Sequence, residues 1–521
     1  MNIREKQLKT TNIKTEKQVQ ITLEEDKNVP DSNIDIEKIV LATGTIKLME
    51  SEAMIDRIRV NGTLEGKILY IGSDSGQKCA VMDVSVPFEE YFHVESLLPT
   101  DHVTILPEME DLNVTLIHSR KVAIRAVLNF FLSVADEVGI HAVEEVEADG
   151  VQALYKTISL TQLAVNKKDI VRLREEMALP ASKPNIYTPL WNTVELEKVE
   201  YKLYDHKIQI QGELHVFLLY IGEEEHMPLQ YMEWQIPVQT ELECYECMEE
   251  MIGNIGISMN GYNLEIKPDE DGEMRIVLVE AGIQLDLKIY EEEEIRMLED
   301  VYHCKKELIP KYESFPCQHL IVKNSAKMKL NQKVAIRPSS GRVLQILSMN
   351  GTCKIDEKEV VAGGVQIEGV IDGTVLYLTS DDNAPIASMP VLIPFSYFLE
   401  AKEMKEEDQY MIRGSMDQLN TAFSDGDEME VRVEVRFDMV VLAREDEKII
   451  TDVEEKDWDF KELQKMPGIV GYLVKPEDTL WKIAKKYHTT VEELRHRNEK
   501  IGEEVVAGER ILIVKEIQER L

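Results

Sequence analysis

Asn61-Gly62-Thr63-Leu64-Glu65-Gly66-Lys67-Ile68-Leu69-Tyr70-Ile71-Gly72 runs from a polar-glycine start, through alternating residues, into an apolar stretch around a tyrosine. The same plan returns in Gln211-Gly212-Glu213-Leu214-His215-Val216-Phe217-Leu218-Leu219-Tyr220-Ile221-Gly222. It returns again in Glu368-Gly369-Val370-Ile371-Asp372-Gly373-Thr374-Val375-Leu376-Tyr377-Leu378. The tyrosines stand 150 residues apart (Tyr70 to Tyr220) and then 157 (Tyr220 to Tyr377). Recurrence at a long, nearly constant period marks tandem copies of one structural unit. A proline locks the register: Val86-Pro87-Phe88, Ile236-Pro237-Val238 and Ile393-Pro394-Phe395 each place it 17 residues after the tyrosine. A weaker landmark lies upstream, where Val19-Gln20-Ile21, Ile170-Val171-Arg172-Leu173 and Val334-Ala335-Ile336 are each expected to open a strand.

Period-two alternation and β-branched or aromatic residues predict strands, flanked by turns such as Ser73-Asp74-Ser75-Gly76 and Asp381-Asp382-Asn383. The proline marks an edge strand, a bulge or a strand start. Further strands are predicted at Val122–Val127, Arg275–Val279, Gln284–Tyr290 and Glu430–Val441. In the last, Val431, Val433 and Val435 face one way and Arg432, Glu434 and Arg436 the other. The expected fold is mainly β: three tandem β-rich, sandwich-like antiparallel repeat domains, with one short helix each, then a small βααβ domain. Expected bounds are 8–150, 151–315 and 316–447 for the repeats. A linker with a short helical stretch is expected over 448–468, and the terminal module over 469–515.

Composition narrows the function. With 521 residues and 44% hydrophobic content the chain can fill several cores. No apolar run reaches the roughly 18 residues of a membrane-spanning helix. The N-terminus, Met1-Asn2-Ile3-Arg4-Glu5-Lys6, carries no signal-peptide apolar core, so a cytosolic location is expected. The balance of 59 basic and 97 acidic residues, net -38, repels phosphate backbones and argues against nucleic acid as a partner. Acidic runs such as Glu291–Glu294 read as solvated faces. The six cysteines are scattered. Cys244-Tyr245-Glu246-Cys247 is a lone pair without the second pair that a structural zinc site needs, so reduced thiols are expected and no cofactor is. The 11 histidines are dispersed, and His215 has no histidine counterpart in the other repeats. No phosphate-binding loop, zinc-protease or nucleophile-elbow motif occurs, so catalysis is not expected.

The pattern changes at Gly471-Tyr472-Leu473-Val474, a short strand followed by the turn Lys475-Pro476-Glu477-Asp478-Thr479. Leu480, Ile483, Ala484 and Tyr487 have helical spacing, and Asp478 or Thr479 can cap that helix. Thr490-Val491-Glu492-Glu493 is a capping box opening a second helix to Arg497-Asn498. Gly508-Glu509-Arg510-Ile511-Leu512-Ile513-Val514 closes with a turn and a strand. Trp481, Ile483 and Leu494 read as core, and Asp478 and Asn498 as caps. Residues 471–515 hold nine basic and eight acidic residues, leaving 50 and 89, a net charge of -39, for the rest.

This βααβ segment resembles a LysM domain, through Tyr472-x-Val474, Asp478-Thr479-Leu480-Trp481-x-Ile483-Ala484, Tyr487, Thr490-Val491-x-x-Leu494, Asn498 and Gly508-x-x-Ile511-x-Ile513. The resemblance implies a groove for N-acetylglucosamine glycans between the loop after the first strand and the loop before the last. Carried over, the groove comprises Glu477, Asp478, Thr479, Leu480, Ile501, Gly502 and Val505. One departure counts against sugar. The family has glycine just before Asp-Thr, where Glu477 stands here, and a carboxylate there crowds or repels a glycan.

The repeats, in turn, resemble SPOCS domains, and repeats plus LysM are similar to the SipL family of spore coat morphogenesis proteins. That resemblance implies a non-catalytic scaffold in the mother-cell cytoplasm at the forespore surface. Its LysM region would bind the coat ATPase SpoIVA or a SpoIVA-like protein, with other coat proteins as further partners. The competing expectation is a peptidoglycan-binding protein of the cell wall or cortex, which would require export.

Overall fold

Each repeat forms two three-stranded antiparallel sheets from six consecutive strands. In the first unit these are β1 (Asn2–Asn28), β2 (Ile36–Met54), β3 (Arg57–Gly72), β4 (Cys79–His93), β5 (His102–His118) and β6 (Lys121–Glu147). They pair in the orders β2-β3-β4 and β1-β6-β5. The second unit repeats the plan with β7 (Val151–Ala178), β8 (Ile186–Tyr204), β9 (Lys207–Gly222), β10 (Leu229–Glu243), β11 (Ile252–Pro268) and β12 (Met274–His303). The third has β13 (Glu307–Ala335), β14 (Val343–Val361), β15 (Gly364–Thr379), β16 (Ile386–Glu400), β17 (Gln409–Ser424) and β18 (Glu428–Lys456). The computed structural model describes residues 1–521 except 74–77, 225, 227, 339–340, 425–427, 458–467, 499–500, 503 and 515–521.

The landmark stretches are the central strands β3, β9 and β15, and their apolar ends are buried on both faces. Ile68 and Tyr70 point into the core of the first unit, while Leu69 and Ile71 point the other way. In β9, Leu218 and Tyr220 face inward and Phe217, Leu219 and Ile221 outward. In β15, Val375 and Tyr377 face inward and Leu376 outward. The outward residues of all three units meet in one shared core with Trp191, Leu347 and Ile386. A strand buried on both sides reads as a continuous apolar run, which is why the alternation fades before each tyrosine. At about 1.5–3 kcal/mol per fully buried aliphatic side chain, this junction ties the units firmly together. The tyrosine hydroxyls stay satisfied: Tyr70 donates to the Ile34 carbonyl at 3.1 Å and Tyr220 to the Pro184 carbonyl at 3.2 Å. Pro87, Pro237 and Pro394 lie on β4, β10 and β16, the edge strands, where a missing donor costs least.

The long outer strands make a second junction. Leu8 and Ile140, Leu160 and Met297, and Phe315 and Ile449 pack together from the three units. Val143, Leu298, Val301, Ile450 and Val453 extend it. Each first strand skips one residue in its pairing, at Lys14, Ala164 and Ile321, positions again 150 and 157 apart. A bulge bends and twists a strand pair. The same strand thereby serves its own unit on one side of the bulge and the common junction on the other. Where the units face one another lies a chamber of about 2720 Å³, lined by residues of all three.

Several expectations need correction. The described repeats contain strands only, without the expected short helix in each. The third unit begins at Glu307 and ends at Lys456, so 307–315 belong to it and residues 448–456 are strand, not linker. Ile449, Ile450 and Val453 are buried at the second junction, which holds that strand in place. The rest of the linker, with its helical stretch, falls largely at 458–467, outside the described residues, as does most of the turn at 73–76. Arg275–Val279 and Gln284–Tyr290 are parts of one strand, β12. The upstream landmarks lie inside β1 and β7 and at the end of β13, and do not open strands. Cys244 and Cys247 are bonded to each other and fully buried, where reduced thiols were expected.

Candidate functional site

After the third unit the chain forms β19 (Ile469–Leu473), α1 (Leu480–Tyr487), α2 (Val491–Arg497) and β20 (Arg510–Val514), with β19 antiparallel to β20. Thr479 Oγ1 accepts from the Lys482 N–H at 3.1 Å and Thr490 Oγ1 from the Glu493 N–H at 3.0 Å, capping the two helices. Leu480, Ile483, Ala484, Leu494, Ile511 and Ile513 fill a small core. His488, in the left-handed region at φ 55°, ends α1, and its N–H donates to the last helical carbonyls.

Of the seven groove residues carried over from the resemblance, the structure brings three together as core. Leu480 is buried, with Ile501 and Val505 packed against the same cluster. Leu480 is therefore a packing residue and not an open groove wall. Glu477, Thr479 and Gly502 are exposed. Glu477 sits at φ 70°, the conformation glycine adopts freely, so its backbone holds the turn that glycine would hold. Its carbonyl accepts from Lys482 Nζ at 3.0 Å.

Asp478 holds the turn shut. Its Oδ2 accepts from the Lys475 N–H at 2.8 Å and from the Tyr472 hydroxyl at 2.7 Å. Those two donors, the backbone N–H first, lower its carboxyl pKa, and the carboxylate pushes the Tyr472 hydroxyl up to about 12. Asn498 stitches α2 to β20: its side-chain amide donates to the Leu494 and Leu512 carbonyls and accepts from the Leu512 N–H, each at 2.8 Å. Both polar residues are thus engaged inside the module.

The module is seated on the repeats. Trp481 Nε1 donates to Asp300 Oδ2 at 2.8 Å, and Lys485 Nζ donates to the other oxygen of that carboxylate. The Tyr302 hydroxyl donates to the Thr489 carbonyl at 2.9 Å, and its ring meets that of Trp481 edge-on at 4.9 Å. Tyr302, at the end of β12, is buried within the module's own core. Burial raises its hydroxyl pKa. Sequence reasoning missed Asp300 and Tyr302, because a contact spanning some 180 residues leaves no local pattern; only the amphipathic character of tryptophan hinted that Trp481 needed a partner.

The other face of the hairpin is open. Ile469, Leu473 and Leu512 are 68%, 56% and 44% exposed. Gly471 pairs with Leu512 between the other two, and its own side-chain space is empty. The result is an apolar stripe on the outer face of β19 and β20.

Comparison with known families places this architecture. The family model described as SipL, SPOCS domain matches residues 35–117, 185–267 and 342–424. The LysM domain model matches residues 472–514. In domain content the chain matches the SipL family, with three SPOCS domains followed by a LysM domain. Its SPOCS segments begin 150 and 157 residues apart, the spacing of the landmark tyrosines. Each covers strands two to five of its unit, β2–β5 in the first, and leaves out the long first and sixth strands that build the second junction. No curated protein and no solved structure matches the chain. SPOCS and LysM are non-catalytic domains, and they fit a sporulation-related protein with a domain of the peptidoglycan-binding type. Among the described residues no helix is long and apolar enough to cross a membrane.

Proposed function

We propose that this chain is a non-catalytic scaffold in spore coat assembly, acting in the mother-cell cytoplasm at the forespore surface. It tethers the coat by binding a SpoIVA-like coat protein through the LysM module. The observation that carries this reading is the apolar stripe Ile469–Leu473–Leu512, presented outward on a module whose opposite side is clamped to β12. Exposed contiguous apolar residues on a rigid element favour a protein partner. The turn expected to admit a sugar carries the exposed side chain of Glu477, and Leu480 is turned into the core, so the case for a glycan is weaker. Charge supports the same view: a nearly neutral module on a body of net charge -39 limits the repulsion an acidic partner meets at the tip.

The second reading, peptidoglycan binding, rests on the LysM match itself. Retention assays separate the two. The full chain is expected to retain a SpoIVA-like coat protein in a pull-down, and the Leu473→Asp/Leu512→Asp variant to lose it while neither sediments with purified peptidoglycan. Tight sedimentation with peptidoglycan, together with no retention of the coat protein, would sink the proposal.

A further inference from the structure

The three units can be compared position by position on the chamber wall. In the first, Thr45 on β2 pairs with Glu65 on β3, and Lys47 Nζ forms an ion pair with Glu65 at 2.5 Å. In the third, Thr352 on β14 pairs with Asp372 on β15, and Lys354 Nζ forms an ion pair with Asp372 at 2.8 Å. Both units thus bring their own cation, a lysine ammonium, to an acid on the neighbouring strand. The second unit has the same register, with Glu195 on β8 pairing with His215 on β9. Here the threonine is Glu195, the lysine is Glu197 and the acid is His215. The built-in cation has been exchanged for three groups that bind one.

Glu195 and Glu197 are two residues apart on one strand and so share a face, with His215 directly across from Glu195. One ligand atom from each of the three lies within 4.8 Å of the others. Glu197 is only 8% exposed and accepts no hydrogen bond from any described residue. Among the described residues, the one basic nitrogen within ion-pair range of its carboxylate is His215 Nδ1, at 3.9 Å. The adjacent Lys198 turns its ammonium to Glu213 at 2.6 Å. The nearby Asp417 is held by Lys327 at 3.0 Å and Arg436 at 3.5 Å. A buried carboxylate without a hydrogen-bond donor is costly, and a bound cation removes that cost.

We infer that Glu195, Glu197 and His215 form a binding site for one divalent transition-metal cation of the zinc or manganese type. An imidazole nitrogen beside two carboxylate oxygens suits such ions, whereas calcium and magnesium take all-oxygen sets. Glu195 and Glu197 line the chamber, which has room for the waters that would complete the coordination shell.

The test uses the full chain stripped of metal with a chelator. Zinc chloride is titrated by calorimetry and cobalt(II) chloride by visible absorption, where histidine–carboxylate ligation gives d–d bands. One equivalent is expected to bind per chain, with His215→Ala and Glu197→Gln each weakening binding by more than about ten-fold. The triple variant E195T/E197K/H215E installs the residues of the first unit, which that fold already accommodates. It is expected to keep the circular dichroism spectrum of the parent and to bind no metal at this position. Absence of stoichiometric binding, or one equivalent that survives in the triple variant, overturns the inference. The comparison with that variant also subtracts loose binding to the many surface carboxylates.

Discussion

Glu477 is a non-glycine residue in the left-handed region, at a turn where the LysM pattern has glycine. Any residue with a Cβ is strained there by about 1–2 kcal/mol, partly offset in comparison with glycine by the greater freedom that glycine loses on folding. Glu477→Gly is therefore expected to stabilise the module by about 1 kcal/mol. Hydrogen exchange of the amides at 472–498 in the full chain reads this directly, and a drop in protection would show that the Glu477 side chain supports the turn. The oddity of the residue was legible from the motif. Its backbone angle was not, because a departure from a pattern does not say whether the turn shifts or the residue bears the strain. Asp478 shows the converse: a cap was expected from its position, but Thr479 caps α1, and the Asp478 carboxylate instead ties the Lys475 N–H and the Tyr472 hydroxyl.

At the scale of elements, α1 is short, and most of its stability must come from packing. One side faces the module's core, and Trp481 and Lys485 face Asp300 on the strand end of β12. Asp300→Ala would leave the indole N–H and the Lys485 ammonium without their acceptor, at a cost of about 1–3 kcal/mol. The expected outcome is faster hydrogen exchange through α1 and around Thr489, with exchange in β3, β9 and β15 unchanged. Equal protection in the variant would mean that the edge-on rings of Tyr302 and Trp481 hold the module by themselves. The apolar spacing of α1 was plain in the sequence, yet its face toward β12 carries a tryptophan and a lysine, amphipathic residue types that do not say which surface they meet.

The whole molecule is held together at junctions to which all three units contribute. Trp191, 1% exposed, sits in the shared core beside Leu69, Phe217 and Leu376. Trp191→Ala is expected to cost about 3–5 kcal/mol. Because the cavity opens between units, the loss should fall on all of them. Denaturant unfolding followed by circular dichroism is expected to stay a single transition at a lower midpoint. A separate early transition confined to the second unit would argue that the units fold independently.

The amino-acid pattern alone determined that the chain is β-rich, that one unit occurs three times in a common register, and that a βααβ module follows. Those properties rest on local periodicity, turn chemistry and capping, all of which act between residues close in the chain. Tertiary structure decided the rest: the two-faced burial of the landmark strands, the extension of the third unit to Lys456, the docking of Trp481 on Asp300, and the meeting of Glu195, Glu197 and His215. Each depends on which surfaces meet across long sequence separations, and a side-chain alternation that reports only inside and outside is silent about which inside it faces.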